Sequence, residues 1–462
     1  MMSILDVIGK CKKLHFVGIG GVSMSSLAAI ANRRGYEVTG SDDDLNNTTV
    51  EYLESLGIKI YTPLSADNIK EGVELVVRTA AVHMDNPEIK RAVEMGIPVI
   101  TRAEYLGYIM TEYEERIGIS GTHGKSTTTG MIHSLYDNAG KDPTSICGAV
   151  MSCGKAYTLG DDKKFIYEAC EYTDSFLHFN PTTALILNIE LDHVDYFPNI
   201  EALISSFAKS IKGAKRVVAN FDDENCLRAV DGFEGERVLV SAKGDKRADF
   251  YACNVEKTKG CHSFDVVKGG EVLARVELKV PGYHNLMNGL FAFAAAYSDG
   301  LTSEECKAGL ESYTGIAKRF ELILHSPKGA KIYSDYAHHP EELEVTLKMA
   351  REVTDEKLIA VFQPHTYTRT ATFLEDFIRV LSEFDGSLIT ELMPARETEN
   401  PTGVHSLDIV NRTKNSLYLP TQRDIFDYIL ENGKEGELYI FMGAGDITRW
   451  PERLLRELRG KK

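Results

Sequence analysis

The sequence predicts an α/β fold divided into about three domains. Short apolar runs that suit β-strands alternate along the chain with helical stretches, which is the pattern of parallel sheets covered by helices. Several of these runs end in glycine or polar residues, as at 18–21, 121–126 and 443–446. A length of 462 residues is also too great for one hydrophobic core. We therefore expect several α/β domains with polar residues at the carboxyl ends of their strands.

Composition excludes several classes of protein. The net charge of -16 and the lack of a long basic block argue against a nucleic-acid partner. No apolar run approaches the ~20 residues of a membrane-spanning helix, and the first residues do not resemble a signal peptide. The eight cysteines include no Cys-X-X-Cys pair, so neither a zinc ribbon nor a disulfide framework is indicated. We expect a cytoplasmic protein with reduced thiols and no membrane association.

The first domain is predicted to begin with a strand, a glycine turn and a helix. A strand over 14–17 ends in the turn 18–21, and a helix follows over 25–34. A second strand over 37–40 leads to Asp42, near the position of the ribose-binding acid in dinucleotide-binding folds. The glycine spacing departs from the dinucleotide fingerprint, and similar turns also occur in domains without a ligand. Further predictions are strands over 74–77 and 97–100 and a charged linker over 111–116.

Residues 117–129 contain the most informative motif of the chain. An apolar run changes into small residues and ends in Gly-Lys-Ser at 124–126. Glycines let successive N–H groups and the following helix N-terminus converge on phosphate oxygens. Lys125 would reach the β and γ phosphates of ATP, and the Ser126 hydroxyl would bind Mg²⁺. Ile119 stands at the first glycine position of the generic motif, so this is a variant of it. A glycine-rich turn without a ligand is the alternative, but a lysine followed by hydroxyls makes it less attractive.

Two predicted strands after this loop end in groups that can bind metal. The strand over 165–167 leads into Glu168, and the strand over 184–189 leads toward Asp192 and His193. The carboxyl ends of strands in an open α/β sheet face the ligand crevice, so these groups would lie beside the phosphate loop. The alternative is that they are solvated charges on loops. Their position after consecutive strands favours a functional role.

A third block begins at about residue 313. Asp335 follows a predicted strand and precedes paired histidines, His338 and His339, and a helix is expected from Pro340 because proline suits a first helical position. Two further strands, over 358–362 and 438–441, also end in polar residues. The paired histidines could instead be structural, held by backbone carbonyl groups.

With these motifs in place, the chain resembles the Mur ligases of peptidoglycan synthesis from about residue 18 to residue 446. The similarity rests on the motifs at 18–25, 121–127, 188–193, 282–288, 335–340, 362–365 and 443–446. It implies a Rossmann-like N-terminal domain for a UDP-sugar (1–112), a P-loop ATPase-like central domain (113–312) and a Rossmann-like C-terminal domain for an amino acid (313–462).

The resemblance also implies an activity. It is the ATP-dependent ligation of L-alanine to the lactyl carboxylate of UDP-N-acetylmuramate through an acyl phosphate, with release of ADP and phosphate, by a monomer or dimer. Within the family, the rival is a recycling ligase that joins a murein tripeptide to UDP-N-acetylmuramate. Outside it, a nicotinamide dehydrogenase would leave Lys125 and Ser126 without a role. A non-catalytic nucleotide-binding regulator would tolerate the loss of metal ligands that this chain retains.

The resemblance assigns roles residue by residue. Catalytic roles fall on Lys125, Glu168, His193 and Arg319. ATP-binding roles fall on Gly121, Thr122, His123, Gly124, Lys125, Ser126, Thr127, His284, Asn285, Asn288 and Asp335. Two Mg²⁺ ions would be held by Ser126, Glu168 and His193. The UDP-sugar would contact Gly18, Gly20, Gly21, Ser23, Met24, Ser25 and Asp42, and the amino acid Tyr336, His338 and Arg369.

Three positions depart from the family pattern. Thr366 stands where relatives commonly have Arg, so the amino-acid carboxylate would rely on Arg369. Cys170 replaces an acid, which leaves Glu171 as an indirect or alternative metal ligand. Lys209 is the candidate for the carbamylated lysine of several Mur ligases, although a solvated surface lysine is the simpler interpretation.

Overall fold

A computed structural model describes residues 8–43, 48–79, 82–161, 163–192, 196–395, 397 and 399–460. The strands are β1 (Lys13–Val17), β2 (Glu37–Ser41), β3 (Lys59–Tyr61), β4 (Leu75–Arg78), β5 (Val99–Thr101), β6 (Glu115–Ser120), β7 (Thr144–Ile146), β8 (Tyr157–Thr158), β9 (Lys164–Glu168), β10 (Thr183–Ile186), β11 (Arg216–Asn220), β12 (Glu236–Ser241), β13 (Phe250–Thr258), β14 (Cys261–Lys268), β15 (Glu271–Pro281), β16 (Glu321–His325), β17 (Lys331–Asp335), β18 (Lys357–Phe362), β19 (Gly386–Ile389), β20 (Ser416–Tyr418) and β21 (Glu437–Met442).

The α-helices are α1 (Val22–Arg33), α2 (Thr48–Ser55), α3 (Pro87–Glu94), α4 (Arg102–Met110), α5 (Lys125–Asn138), α6 (Ile200–Ser210), α7 (Glu224–Ala229), α8 (Tyr283–Ser298), α9 (Ser303–Ser312), α10 (Pro340–Val353), α11 (Tyr367–Thr372), α12 (Leu374–Leu381), α13 (Ser406–Val410), α14 (Gln422–Asn432) and α15 (Trp450–Gly460). Shorter 3₁₀ segments cover Ala66–Asn68, Tyr172–His178 and Asp446–Arg449. No helix among the described ranges is both long and apolar enough to cross a membrane.

The first sheet is parallel and has the strand order β3-β2-β1-β4-β5. Its central strand, β1, is flanked by β2 and β4, and its apolar side chains Phe16 and Val17 are buried. The glycine turn and α1 follow β1 directly, so they lie at the carboxyl edge of the sheet. The α/β prediction for this part of the chain is confirmed.

The second sheet has ten strands, in the order β15-β14-β13-β12-β11-β10-β6-β9-β7-β8. The strand before the phosphate loop, β6, pairs in parallel with β10 and β9, which places the loop between the ends of both neighbours. The predicted strand over 184–189 is too long, because β10 ends at Ile186. Beyond that point the chain bonds to the phosphate loop, as in the hydrogen bond from the Thr122 N–H to the Asn188 carbonyl at 3.1 Å.

The third sheet has the order β16-β17-β21-β18-β19-β20, in which β16 alone pairs antiparallel. As predicted, α10 begins at Pro340, with Glu341 and Glu342 in its first turn. By contact density the chain forms two compact units. The first holds 1–256, 263–279 and 284–315, and the second holds 257–262, 280–283 and 316–462.

The expected linker over 111–116 is shorter than predicted. Helix α4 ends at Met110, and β6 already begins at Glu115. The charged residues were misleading because Glu115 and Arg116 lie at the exposed start of a strand whose later residues are buried.

Candidate active site

The turn after β1 is shaped by backbone hydrogen bonds to the end of β2. Gly18 has a φ of +79°, and a Cβ there would lie 2.8 Å from Thr79 Cγ2, so a side chain is excluded. The Gly18 N–H donates to the Ser41 carbonyl at 2.9 Å. The Gly20 N–H donates to Asp42 Oδ2 at 2.8 Å. The structure therefore brings the predicted Asp42 onto the predicted glycine turn.

Helix α1 starts at this turn, with Gly21 as its N-cap. Met24 and Ser25 are 2% and 1% exposed, so their side chains pack inward. Ser23 differs from them, because its hydroxyl accepts a hydrogen bond from Arg102 Nη1 at 3.0 Å.

Arg102 is a site residue that the sequence reasoning missed. It opens α4, whose start is fixed by a reciprocal capping pair between Thr101 and Glu104. Burial lowers the pKa of the Arg102 guanidinium, while Cys170 and Glu168 favour its charged form. The capping pattern could have marked the helix start, but only the packing shows that Arg102 reaches Ser23 beside the glycine turn.

Glycines and the segment after β10 determine the backbone conformation of the phosphate loop. Gly124 has a φ of +86° and is the N-cap of α5, so Ser126 and Thr127 lie in the first turn of that helix. Gly121 has a φ of +142°. The His123 N–H donates to Asn188 Oδ1 at 2.8 Å. These contacts leave a helix N-terminus without a side-chain cap, the arrangement that suits a phosphate group.

The start of α8 lies against this loop. A Cβ at Gly124 would lie 2.7 Å from Asn288 Oδ1, so the loop approaches that amide closely. Asn285 and Asn288 are 7% and 2% exposed, and the Asn288 amide donates to Asn285 Oδ1 at 3.4 Å. His284 is half-buried in the same turn. The structure thus brings together the first-unit residues that were predicted to bind ATP.

Lys125 is bound by oxygen atoms on several sides. Its Nζ donates to the Gly121 carbonyl at 2.5 Å and to the Thr122 carbonyl at 3.2 Å, and it lies 3.1 and 3.0 Å from the two carboxylate oxygens of Glu171. Burial alone would lower the pKa of the Lys125 ammonium, but Glu171, with Cys170 and Glu168, favours the charged form, and together they raise that pKa. The lysine is therefore a positive charge placed at the loop.

Glu168 and Ser126 adjoin the same short segment. The Gly148 N–H donates to Glu168 Oε1 at 2.5 Å, and the Cys147 thiol lies 3.5 Å from the Ser126 carbonyl. A carboxylate and a hydroxyl are hard oxygen ligands, so this donor set fits Mg²⁺. The third predicted ligand, His193, lies outside the described residues.

Lys209 is exposed in the last turn of α6, as the simpler interpretation of the sequence predicted.

In the second unit, Asp335 organises the start of the site. Asp335 is 3% exposed, and its carboxylate accepts hydrogen bonds from the Phe320 and Ala337 N–H groups, each at 2.8 Å. Burial raises the pKa of Asp335, and Arg319 opposes that rise. The Arg319 guanidinium lies 5.7 Å from the centre of the Tyr336 ring. The two hydrogen bonds to Asp335 therefore fix the backbone directly after Arg319 and directly after Tyr336.

The same unit collects the predicted amino-acid ligands. The His338 ring centre lies 5.3 Å from that of Tyr336 and 6.3 Å from that of His365. Arg369 Nη1 lies 3.5 Å from His365 Nδ1. Burial lowers the pKa of His338, although Glu342, at 3.1 Å, favours its charged form. His365 and Glu342 were not among the predicted site residues, because nothing in their spacing indicates this contact.

Thr366 directs the helix that carries Arg369. Its φ is +64°, and its hydroxyl accepts a hydrogen bond from the Arg369 N–H at 3.3 Å. Thr366 is therefore the side-chain N-cap of α11, so the residue at this departure from the family pattern has a structural task.

Comparison with known proteins identifies the family. Models of the Mur ligase family catalytic domain, middle domain and glutamate ligase domain match residues 13–114, 119–296 and 318–445. The chain belongs to the Mur ligase family. This Mur ligase is 42% identical to the UDP-N-acetylmuramate–L-alanine ligase of Acetivibrio thermocellus, across 99% of this chain and 98% of that protein.

Solved structures agree with that assignment. The UDP-N-acetylmuramate-alanine ligase of Thermotoga maritima matches with a TM-score of 0.83 and 29% identity, covering 97% of this chain and all of that one (100%). A murein peptide ligase from Psychrobacter arcticus matches with a TM-score of 0.74 and 24% identity, covering 97% of this chain and 98% of that one, which shows a shared fold.

Proposed function

We propose that this Mur ligase joins L-alanine to the lactyl carboxylate of UDP-N-acetylmuramate, with hydrolysis of ATP to ADP and phosphate, in the synthesis of peptidoglycan precursors. The observation that carries the proposal is the 42% identity to a UDP-N-acetylmuramate–L-alanine ligase over 99% of the chain. The domains proposed for the UDP-sugar, ATP and the amino acid are 1–112, 113–312 and 313–462. The proposed location is the cytoplasm, and the proposed assembly is a monomer or dimer.

The reaction has two steps. A carboxylate oxygen of the sugar attacks the γ-phosphorus of ATP, and ADP leaves with the electrons of the broken bond. The amine of L-alanine then attacks the carbonyl carbon of the acyl phosphate, phosphate leaves, and the amine loses a proton as the amide forms. Both steps concentrate negative charge on phosphate oxygens, so fixed positive charge is the main requirement for catalysis.

Lys125 would meet that requirement in the first unit. Its ammonium lies on the carbonyl groups of the phosphate loop, and the first N–H groups of α5, which have no side-chain cap, would supply further hydrogen-bond donors for a phosphate. Ser126, Glu168 and His193 would hold two Mg²⁺ ions, which when bound supply further positive charge at the phosphate oxygens. The imidazole of His284 and the side-chain amides of Asn285 and Asn288 belong to the helix against the loop, where we place the nucleotide base.

Other substrates are assigned to the remaining clusters. The glycine turn after β1, with Ser23 and Asp42, would bind the UDP-sugar diphosphate and ribose. In the second unit, Arg319 and Asp335 would serve the nucleotide, and Tyr336, His338 and Arg369 would bind L-alanine. A guanidinium can pair with both oxygens of the amino-acid carboxylate and thereby direct the amine.

One assay tests the proposal. Phosphate release is measured with ATP, Mg²⁺ and UDP-N-acetylmuramate while the amine is varied among L-alanine, glycine, L-serine and the tripeptide L-alanyl-γ-D-glutamyl-diaminopimelate. We expect kcat/KM to be highest for L-alanine, with weak use of glycine and L-serine because each differs from it by about one small group. A clear preference for the tripeptide would replace the proposal with the recycling ligase.

A further inference from the structure

Glu171 differs from Glu168 in what its carboxylate touches. Only 1% of Glu171 is exposed, and both of its carboxylate oxygens lie within 3.1 Å of Lys125 Nζ. The Glu168 carboxylate instead faces the Gly148 N–H at the end of β9. The two acids of one short segment therefore serve different partners, one a cation of the phosphate loop and the other a backbone donor beside Ser126.

The chain after Glu171 adopts an unfavourable conformation. Thr173 and Asp174 have φ values of +53° and +56°, so two consecutive non-glycine residues are in the left-handed region. Aspartate tolerates this region better than most residues, but a β-branched threonine does not. Such a conformation persists only where surrounding contacts impose it, and it commonly marks a functional site.

The contacts that impose it converge on the Asp174 carboxylate. Its Oδ2 accepts a hydrogen bond from the Tyr196 hydroxyl at 2.8 Å, and its Oδ1 accepts one from the Ser206 hydroxyl on α6. The ring of Tyr172 also lies 6.4 Å from that of Tyr196, edge to face. The strained turn is thus held from two elements that are distant in sequence from Glu171.

We propose that Glu171 is a positioning residue that aims the Lys125 ammonium at the phosphates, and that Asp174 holds the turn that places Glu171. The inference rests on the proposed function, because it concerns how Lys125 is positioned in the ATP site of that reaction. An ammonium has three N–H groups, and Glu171 together with the loop carbonyls surrounds it. Without the carboxylate, the long lysine side chain would adopt many rotamers and lose its fixed direction.

The first test compares the two acids. Glu171→Gln should lower kcat/KM for ATP by about 10- to 100-fold, which is the usual cost of a misplaced catalytic group. The KM for UDP-N-acetylmuramate and the Mg²⁺ concentration at half-maximal rate should stay at their wild-type values. Glu168→Gln should instead raise that Mg²⁺ concentration. Glu236→Gln is the matched control, because Glu236 is an exposed acid paired with Arg216.

A binding measurement accompanies the kinetics. A non-hydrolysable ATP analogue titrated in EDTA should bind more weakly to Glu171→Gln than to the wild type, because the defect lies in Lys125 and not in a metal. If Glu171→Gln raised the Mg²⁺ requirement as Glu168→Gln does, Glu171 would be a metal ligand and the inference would be wrong. An unchanged kcat/KM for ATP would also overturn it.

The second test separates backbone strain from hydrogen bonding at position 174. Asp174→Asn keeps a left-handed tolerance and polar contacts, so kcat/KM for ATP should stay close to wild type. Asp174→Gly accepts the backbone conformation but removes the carboxylate, and it should lose about 10-fold in kcat/KM for ATP. Tyr196→Phe and Ser206→Ala should each give a smaller loss in the same direction. Wild-type behaviour of Asp174→Gly would remove Asp174 from the proposal.

Failure of the proposed function is distinguishable from failure of this inference. If wild-type protein does not ligate L-alanine, the proposed function is wrong. The titration of the ATP analogue in EDTA still shows whether Glu171 positions Lys125 for nucleotide binding. Melting temperatures of all variants show whether a loss reflects unfolding.

Discussion

Lys125 and Lys164 lie at opposite ends of the neighbouring strands β6 and β9 in the ten-stranded sheet, and their surroundings differ. Lys125 follows the carboxyl end of β6, whereas Lys164 begins β9, where it pairs in register with Glu115 at the start of β6. Lys164 bonds to Glu115 and Asp299, and its ammonium lies 4.4 Å from the centre of the Tyr136 ring. The side chain of Lys125 is 16% exposed and that of Lys164 is 9% exposed.

The difference lies in what holds each ammonium. Lys125 is bound partly by carbonyl groups of its own glycine loop. Lys164 is enclosed by side chains from β6, α5 and the end of α8, and the Tyr136 hydroxyl adds a hydrogen bond to Asp299 at 2.5 Å. Lys125 is thus held by two loop carbonyls and one buried carboxylate, whereas, among the described residues, Lys164 is held only by side chains.

The largest effect is expected at the structural lysine. Lys164→Met removes one partner of a nearly buried ion pair and leaves the Asp299 carboxylate without its cation, which should cost about 3 to 5 kcal/mol of unfolding free energy. The kcat of the folded protein should stay close to wild type, because this network lies at the far end of the sheet from the phosphate loop. Urea unfolding checks it, with Lys163→Met, an exposed neighbour, as the control. Equal unfolding free energies of the two variants would show that the Lys164 ion pairs do not stabilise the fold.

At Lys125 the main effect is expected in the rate of ligation, together with some loss of stability, because Glu171 is 1% exposed and would lose its cation. Lys125→Ala should lower ligation by at least ~10², since it removes charge where the transition state needs it. The circular dichroism spectrum should be unchanged. Retention of more than about a tenth of wild-type turnover would contradict the catalytic role.

Metal dependence sharpens the comparison further. Glu168→Gln and His193→Ala should each raise the Mg²⁺ concentration at half-maximal rate by about 10-fold or more, while UDP-sugar binding persists. Initial rates over a Mg²⁺ series measure this. If neither variant changes the requirement, the metal lies elsewhere.

Arg369 extends the comparison to a cation of the second unit. Arg369→Lys should raise the KM for L-alanine about tenfold, equivalent to one charge-assisted hydrogen bond of roughly 1.5 kcal/mol, and should change the KM for ATP much less. Steady-state kinetics with L-alanine varied decides it. Equal KM values for L-alanine would remove Arg369 from the amino-acid site.

The sequence predicted the parts of the site that lie within short motifs. The Gly-Lys-Ser loop, the acid at the end of β9 and the start of α10 at Pro340 are set by neighbouring residues, because turns, caps and strand ends are local. The end of β10 was misplaced because residues after Ile186 bond to the phosphate loop, a contact that apolar periodicity does not reveal.

By itself, then, the sequence determined the α/β class, the family and the place of Lys125 at the end of a glycine turn, since each is expressed in local order. Only the tertiary structure decided which acid pairs with Lys125, that Arg102 reaches Ser23, and that Lys164 meets Asp299 across 135 positions of sequence. The physical reason is that ion pairs and buried hydrogen bonds depend on distances through space, and those distances are fixed by the packing of elements that the sequence places far apart.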